Sequence, residues 1–446
     1  MIDRIVAEVE SNGGRAYFVG GCVRDEIMGA QSKDIDVEVY GLSAGDLASI
    51  LSRFGRVDIV GVSFGVIKLT VGSQDYDFSL PRRDSKIGAG HRGFSVEVDH
   101  TMTVEAAAAR RDYTMNAISQ SIGGDIIDPY NGIGDIRRRM LRHVSPAFAD
   151  DPLRVLRGMQ FAGRYNMTVT RETAALCRSL RGEYCHLAGD RIWGEWHKWA
   201  AKSIKPSAGL EFLYSSGWIY LYPELRDLIG LPQQAEWHPE GSVWQHTKHV
   251  CNAAASIAIR DGLNSEDRAI LVFAGLCHDL GKASATIFAD GAWRSPGHDQ
   301  AGEPLARSFM ESIGAPKRFV DAVAELTRLH MVHVHGNPTP RMARRLVAAL
   351  QHISPDMLIR IIEADHSGRP PLPVGLPDSA AKLAGLMAEV KDQISPILMG
   401  RHLIQLGWTP GKELGRVLRH VYQGQLDGLI SDLPGAISEA KKVRFS

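Results

Sequence analysis

The stretch AYFVGGCVRDEIMGAQSKDIDVEVYG, residues 16–41, decides how the chain begins. AYFV (16–19) reads as a short strand that closes on Gly20-Gly21. VRDEIMG opens a helix, and DIDVEVYG (34–41) alternates polar and apolar residues as a strand does. A strand, a glycine turn, a helix and a second strand make the start of an α/β layer. Side chains alternate across a strand, so Asp34, Asp36 and Glu38 share one face while Ile35, Val37 and Val39 share the other. Asp34 and Asp36 thus stand side by side on a rigid support. Hard carboxylate oxygens in that arrangement suit Mg²⁺. Two such ions activate an attacking hydroxyl and stabilise a leaving phosphate. The glycines let backbone N–H groups approach a triphosphate at a helix N-terminus, and Arg24, one turn in, is within reach of a phosphate. A lone DxD is most often an ordinary exposed strand face and a lone GG says little. GGCVRD followed ten residues later by DID is far more specific.

Working outward, residues 2–10 and 45–54 carry helical patterns. VIKLTVG (66–72) and QDYDFSL (74–80) read as a hairpin with a Gly-Ser turn. Asp77, in the second of these, is a candidate third carboxylate, with a structural or solvated role as the alternative. DSKIGAGHRGF (84–94) is Gly-rich and basic and reads as a flexible loop. From about residue 104 the pattern turns helical and stays so, through EAAAARRDYTMNAIS and DDPLRVLRGMQFAGRY. DRAILVFAGLCHDLGK (267–282) reads as a buried helix stopped at Gly281, and RPPLPVGLPD (369–378) as a Pro-rich connector.

At 446 residues the chain exceeds one compact core, so several domains are expected. Hydrophobic content of 44% and charged content of 23% are those of a soluble globular protein. No apolar run approaches the roughly 20 residues of a membrane span, and MIDRIVAEVESNGG lacks a signal-peptide core. The expectation is a cytoplasmic protein without a membrane partner. Five scattered cysteines with no CxxC pair argue against a disulfide framework or a cysteine zinc site. Net charge is zero, yet between Arg137 and Lys205 basic residues outnumber acidic ones 14 to 6. That stretch can track a phosphate backbone, or simply be a solvated helical face.

Five ordered blocks, FVGGCVRD…KDIDVEVYG, RRDYTMNAIS (110–119), IIDPYNGIGDI (126–136), LRHVSPAFADDPLRVLRGMQFAGRY (141–165) and DRIWGEW (190–196), resemble the class II tRNA nucleotidyltransferases, the CCA-adding enzymes of the polymerase-β-like superfamily. The resemblance is close over about 200 residues. It implies an α/β polymerase-β-like head followed by an all-α neck, body and further domain. By similarity, Asp34 and Asp36 bind catalytic Mg²⁺, Gly21 and Arg24 meet the phosphates of the incoming nucleotide, and Arg111 contacts the nucleotide with Asp112 as its organiser. Asp151 and Arg154 match the pair that reads the base edges of CTP and ATP, which suits a carboxylate accepting from an exocyclic amine and a guanidinium donating to ring acceptors. Spaced i,i+3, the two are expected to share a helix face, with Arg157 one turn on. The family usually has Glu-Asp where this chain has Asp150-Asp151, and often an arginine where it has Gln160. The loop with Lys86 and Arg92 resembles the family's flexible loop and favours complete CCA addition over addition of CC alone.

A second series, SVWQHTKHV, GLCHDLGK, PGHDQAG, TRLHMVH and EADHSG, matches the H…HD…D pattern of HD-domain metal phosphohydrolases. It nominates His246, His278, Asp279 and Asp365 as ligands of a divalent metal (Mg²⁺, Mn²⁺, Ni²⁺ or another), with His298 and His330 as further ligands of a two-metal site. A head of this class followed by an HD domain resembles the multifunctional bacterial CCA proteins, which implies phosphatase, 2′-nucleotidase and cyclic phosphodiesterase activities.

The expected divisions are a head at 1–140, a neck and body at 141–235 that recognises nucleotide and RNA, an HD domain at 236–368 and a helical tail at 369–446. The expected partners are the tRNA 3′ end, CTP and ATP; nothing in the sequence bears on oligomeric state. Two other readings stay open: a poly(A) polymerase or an enzyme adding only CC or only A, and, in another class, an HD phosphohydrolase whose head is an RNA-binding module.

Overall fold

A computed structural model describes residues 1–30, 35–60, 65–86, 94–334, 336–390 and 393–444. The chain divides into two compact units, Met1–Arg226 and Asp227–Ser446.

The first unit opens with α1 (Ile2–Ser11), β1 (Arg15–Val19), α2 (Gly21–Ile27), β2 (Asp36–Tyr40), α3 (Ala44–Leu51), β3 (Arg56–Val60), β4 (Val66–Val71) and β5 (Gln74–Ser79). A hairpin of β6 (Arg82–Lys86) and β7 (Phe94–Val98) follows, then α4 (Val104–Ala109), β8 (Ser119–Ser121) and β9 (Ile126–Ile127). The main sheet runs β3-β4-β5-β2-β1-β8-β9. Its one parallel pairing among the described residues, β2 with β5, sets Asp36 level with Asp77. Val37, Val39, Ile67, Leu69 and Phe78 point to one side of this sheet, where Ile5, Val9, Leu47 and Leu51 of α1 and α3 cover them. That burial leaves Asp36, Glu38 and Tyr40 facing the other way, where Tyr40 packs against Val104 and Ala107 of α4.

The structure departs from the sequence expectation at two places in this unit's first half. The helical pattern from residue 104 breaks at Arg110, because RRDYTMNAIS turns through a short 3-10 segment at Thr114–Asn116 and then adds β8 to the sheet edge beside β1. The run read as a loop begins and ends as paired strands; its centre, 87–93 with Arg92, and the Lys86 side chain lie outside the described residues.

The unit continues through α5 (Gly132–Arg138), β10 (Met140–Leu141), α6 (Leu153–Tyr165), β11 (Thr168–Val169), α7 (Arg171–Ser179), α8 (Gly189–Lys202), α9 (Pro206–Ser216) and α10 (Pro223–Arg226). Trp196, Trp199 and Trp218 are fully buried between these helices. Each indole N–H finds an acceptor, in the Tyr222 hydroxyl (3.1 Å), the Pro206 carbonyl (3.1 Å) and the Cys177 carbonyl (2.7 Å) respectively. Gly158 lets α6 approach its neighbours, since a Cβ there would meet the Tyr113 hydroxyl. All five cysteines are free.

The second unit holds α11 (Val243–Arg260), α12 (Ser265–Cys277), α13 (Lys282–Ala285), the hairpin β12 (Ile287–Ala289) and β13 (Ala292–Arg294), α14 (His298–Ser312), α15 (Lys317–Leu329), α16 (Pro340–Ala349), α17 (Pro355–Ser367) and α18 (Asp378–Val390). Then α19 (Gly400–Gln405), α20 (Lys412–Leu426) and α21 (Leu433–Arg444) close around Leu403, Val417, Val421 and Ala436. Helix α12 ends at Cys277, four residues before Gly281, so His278 and Asp279 sit in the turn beyond it. Among the described residues no helix is long and apolar enough to cross a membrane.

Candidate functional site

In the first unit, Gly20 caps α2 with φ 72° and ψ −124°, a backbone state open to glycine and strained for other residues. The turn brings Gly20 and Gly21 to the mouth of a cleft of about 490 Å³. The cleft gathers Gly21, Arg24, Asp36, Arg111, Asp151, Arg154 and Arg157 from segments more than 130 residues apart in the chain. Six arginines and four carboxylates line it, which favours a polyanion. Asp34 lies outside the described residues. Asp77 stands beside Asp36 in the sheet but is exposed and does not line the cleft.

The arginines are held in place. Arg24 is 5% exposed and donates to Asp25 Oδ1 and Asn116 Oδ1, at 2.9 and 2.6 Å, with its guanidinium 4.8 Å from the Tyr165 ring centre. Arg154 donates to the carbonyls of Ala147 (2.7 Å) and Arg110 (2.8 Å). Asp151 does not share a helix face with it. Helix α6 starts at Leu153 after Pro152, and Asp151 precedes it in extended conformation, accepting from the Leu153 N–H at 3.1 Å. A proline at the helix start ends any helical run before it. Asp151 is instead anchored by Arg191 Nη2 at 2.9 Å.

Asp112 organises a different arginine from the one expected. Its Oδ2 accepts from Arg157 Nε at 2.8 Å, and its Oδ1 from Asn116 and the Tyr113 N–H. Burial alone would raise the Asp112 carboxyl, but the Arg157 charge and these hydrogen bonds hold it below the usual aspartate range. Arg111 is held by Glu38 and by the Asn116 carbonyl. Burial likewise opposes ionisation of Glu38, and the charges of Arg111 and Arg110 outweigh it. Glu38, Arg110, Asn116 and Arg191 were not singled out from sequence. Glu38 shares the DIDVEV face and Arg191 lies in DRIWGEW, so the signal was present in both cases.

In the second unit, five helix ends converge. His246 comes from the start of α11, His278-Asp279 from just beyond α12, His298 from the start of α14, His330 from just beyond α15, and Asp365 from the last turn of α17. Among the described residues these six form two ligand-capable groups, His246, His278 and Asp365, and Asp279, His298 and His330; a third, His238, Glu240 and His246, adjoins them. His246 Nε2 lies 3.0 Å from Asp365 Oδ1 and 3.2 Å from His278 Nε2. Asp279 reaches both groups, with Oδ2 at 3.2 Å from His278 and Oδ1 at 3.3 Å from His298 and 4.0 Å from His330.

The residues fit a metal. The Nδ1 atoms of His278, His298 and His330 lie 2.7–2.9 Å from the carbonyls of Gly275, Ser295 and Thr327, so donation there leaves each Nε2 lone pair turned inward. Buried His330 Nε2 has no hydrogen-bond partner among the described residues, and burial pushes that ring down to about 4, keeping it neutral. Glu240 backs the site: its Oε1 lies 2.8 Å from His246 Nδ1 and 2.9 Å from His238 Nδ1. Lys282 Nζ is 2.8 Å from Asp279 Oδ2. A cavity of about 810 Å³ opens onto Asp279, His298 and Asp365 and is walled by Trp237 and Trp293.

Residues 16–142 match the poly A polymerase head domain and residues 243–366 the HD domain. The multifunctional CCA protein of Xylella fastidiosa (strain M23) is 34% identical over 368 residues, covering 80% of this chain and 84% of that protein. The chain belongs to the multifunctional CCA protein family. The CCA-adding enzyme of Bacillus stearothermophilus, solved in complex with CTP, superposes with a TM-score of 0.68 at 19% identity, over 99% of this chain and 96% of that one. The Thermotoga maritima CCA-adding enzyme, solved with tRNA, gives 0.61 at 17% identity, over 98% and 93%. These last two establish a shared CCA-adding fold.

Proposed function

We propose that the chain adds CCA to the 3′ end of tRNA from CTP and ATP, without a nucleic-acid template and in the cytoplasm. The observation that carries this reading is the single cleft in which Gly21, Arg24, Asp36, Arg111, Asp151 and Arg154 meet. Asp36, with Asp34, would hold Mg²⁺. The metal supplies an activated 3′-hydroxyl and charge stabilisation on the departing pyrophosphate. Arg24 and Arg111 bind the triphosphate beside the Gly20-Gly21 turn. Asp151 accepts from the exocyclic amine shared by cytosine and adenine, and Arg154 donates to their ring acceptors. Arg191 and the two backbone carbonyls keep that pair in place. The basic stretch 137–205 is the RNA-binding surface. The test is Asp36→Ala: transfer is expected to vanish while hydrolysis by the second unit persists, and retained transfer would remove this site.

A second activity is favoured by the four histidines and two aspartates of the second unit. They would hold one or two divalent ions, Mg²⁺, Mn²⁺, Ni²⁺ or another, which supply an activated water. The substrates are phosphomonoesters and 2′,3′-cyclic phosphodiesters. Loss of cyclic-nucleotide hydrolysis in Asp279→Ala, with transfer intact, is the expected result. Within this reading the functional divisions are 1–140, 141–235, 236–368 and 369–446.

A further inference from the structure

Glu38 is an acid placed deep in the head with both oxygens engaged. Its side chain is 2% exposed. Oε1 accepts from Arg110 Nη2 at 3.0 Å; Oε2 accepts from Arg111 Nη2 at 3.1 Å and from the Tyr40 hydroxyl at 2.7 Å. It sits two residues from Asp36 on the same strand face, within the same cleft. Arg111 is fixed at a second point by the Asn116 carbonyl at 2.9 Å, and the Arg110 carbonyl accepts from Arg154 at 2.8 Å. The carboxylate therefore joins the strand that carries the metal ligand to the arginine that meets phosphates, and through the Arg110 backbone to the arginine that reads the base.

We propose that Glu38 is a positioning residue for nucleotide binding: it orients Arg111 directly, and Arg154 through Arg110, relative to Asp36. This rests on the nucleotidyltransferase reading above. A buried acid with a purely structural role would affect stability and leave nucleotide binding in the folded protein unchanged. A positioning role instead couples Glu38 to Arg111, so that their substitutions are not additive.

The test compares wild type, Glu38→Gln, Arg111→Lys and the double variant of the full chain. Folding is followed by circular dichroism, CTP and ATP binding by calorimetry, and transfer by steady-state kinetics. Loss of a charge-assisted pair is expected to lower kcat/KM for both nucleotides roughly 10- to 100-fold in Glu38→Gln, mostly through KM. The double variant should be little worse than the more impaired single one. Should Glu38→Gln fail to fold, Tyr40→Phe loosens the same carboxylate without removing its charge, and a KM rise of roughly 3-fold is expected. A folded Glu38→Gln protein with wild-type KM and nucleotide affinity would overturn the proposal, as would fully additive effects or an unchanged KM in Tyr40→Phe when only that variant folds. Wild-type protein that neither binds nor transfers CTP would overturn the transferase reading and this proposal with it; wild type that does both, beside an unaffected Glu38→Gln protein, would overturn this proposal alone.

Discussion

Arg157 Nε lies 2.8 Å from Asp112 Oδ2, so the aspartate of the RRD block anchors the α6 arginine that follows Arg154 by one turn. The arginine next to Asp112 in sequence turns to Glu38 instead. This pair ties the turn after α4 to the helix that carries Arg154.

The pair makes stability pH-dependent. The Asp112 carboxyl titrates below its ordinary range. Its contribution is therefore present above that range and lost as pH falls through the lowered value. Asp112→Asn should cost about 2 kcal/mol at neutral pH, a charge-assisted bond with a partly exposed partner. The gap from wild type should shrink below about pH 4. Denaturant melts at a series of pH values check this; a gap that widens on acidification would contradict it.

Arg191 should govern base choice without touching the reaction centre. It holds Asp151 at 2.9 Å. Arg191→Ala is expected to lower kcat/KM for CTP and ATP by roughly tenfold, the cost of one charge-assisted hydrogen bond. Misincorporation of UTP and GTP should rise with it. Competition assays with mixed nucleotides measure both quantities, and unchanged selectivity would count against Asp151 as the reader.

Glu240 should set metal affinity in the second unit, because its carboxylate backs His246 from the side opposite Asp365. Glu240→Gln is expected to weaken binding of a divalent ion by roughly 10- to 100-fold. Calorimetric titration of Mn²⁺ or Ni²⁺ into the metal-stripped protein reads this directly. Wild-type affinity in the variant would mean that Glu240 only packs.

Much of this was legible in the sequence because the signal is local. Strand alternation placed Asp36 and Glu38 on the side opposite Val37 and Val39, and that side is opposite the hydrophobic core of α1 and α3. The order of the histidine motifs pointed to one cluster, and six residues from five helix ends do meet there. What failed was geometry decided by packing. Asp151 and Arg154 read as one helix face because spacing alone does not register that Pro152 starts the helix. RRDYTMNAIS carries helical spacing, yet the edge of β1 recruits Ser119–Ser121 as a strand. Glu38 reads as one more acid on a polar face, since its arginine partners lie more than 70 residues away.

The central claim is tested most directly by incubating the purified protein with tRNA transcripts lacking the 3′ CCA, with CTP alone, ATP alone, or both. The account expects extension by CC with CTP, completion to CCA only when both are present, and little product with ATP alone. A poly(A) tail from ATP alone, arrest at CC with both nucleotides, or no extension under any condition would contradict it.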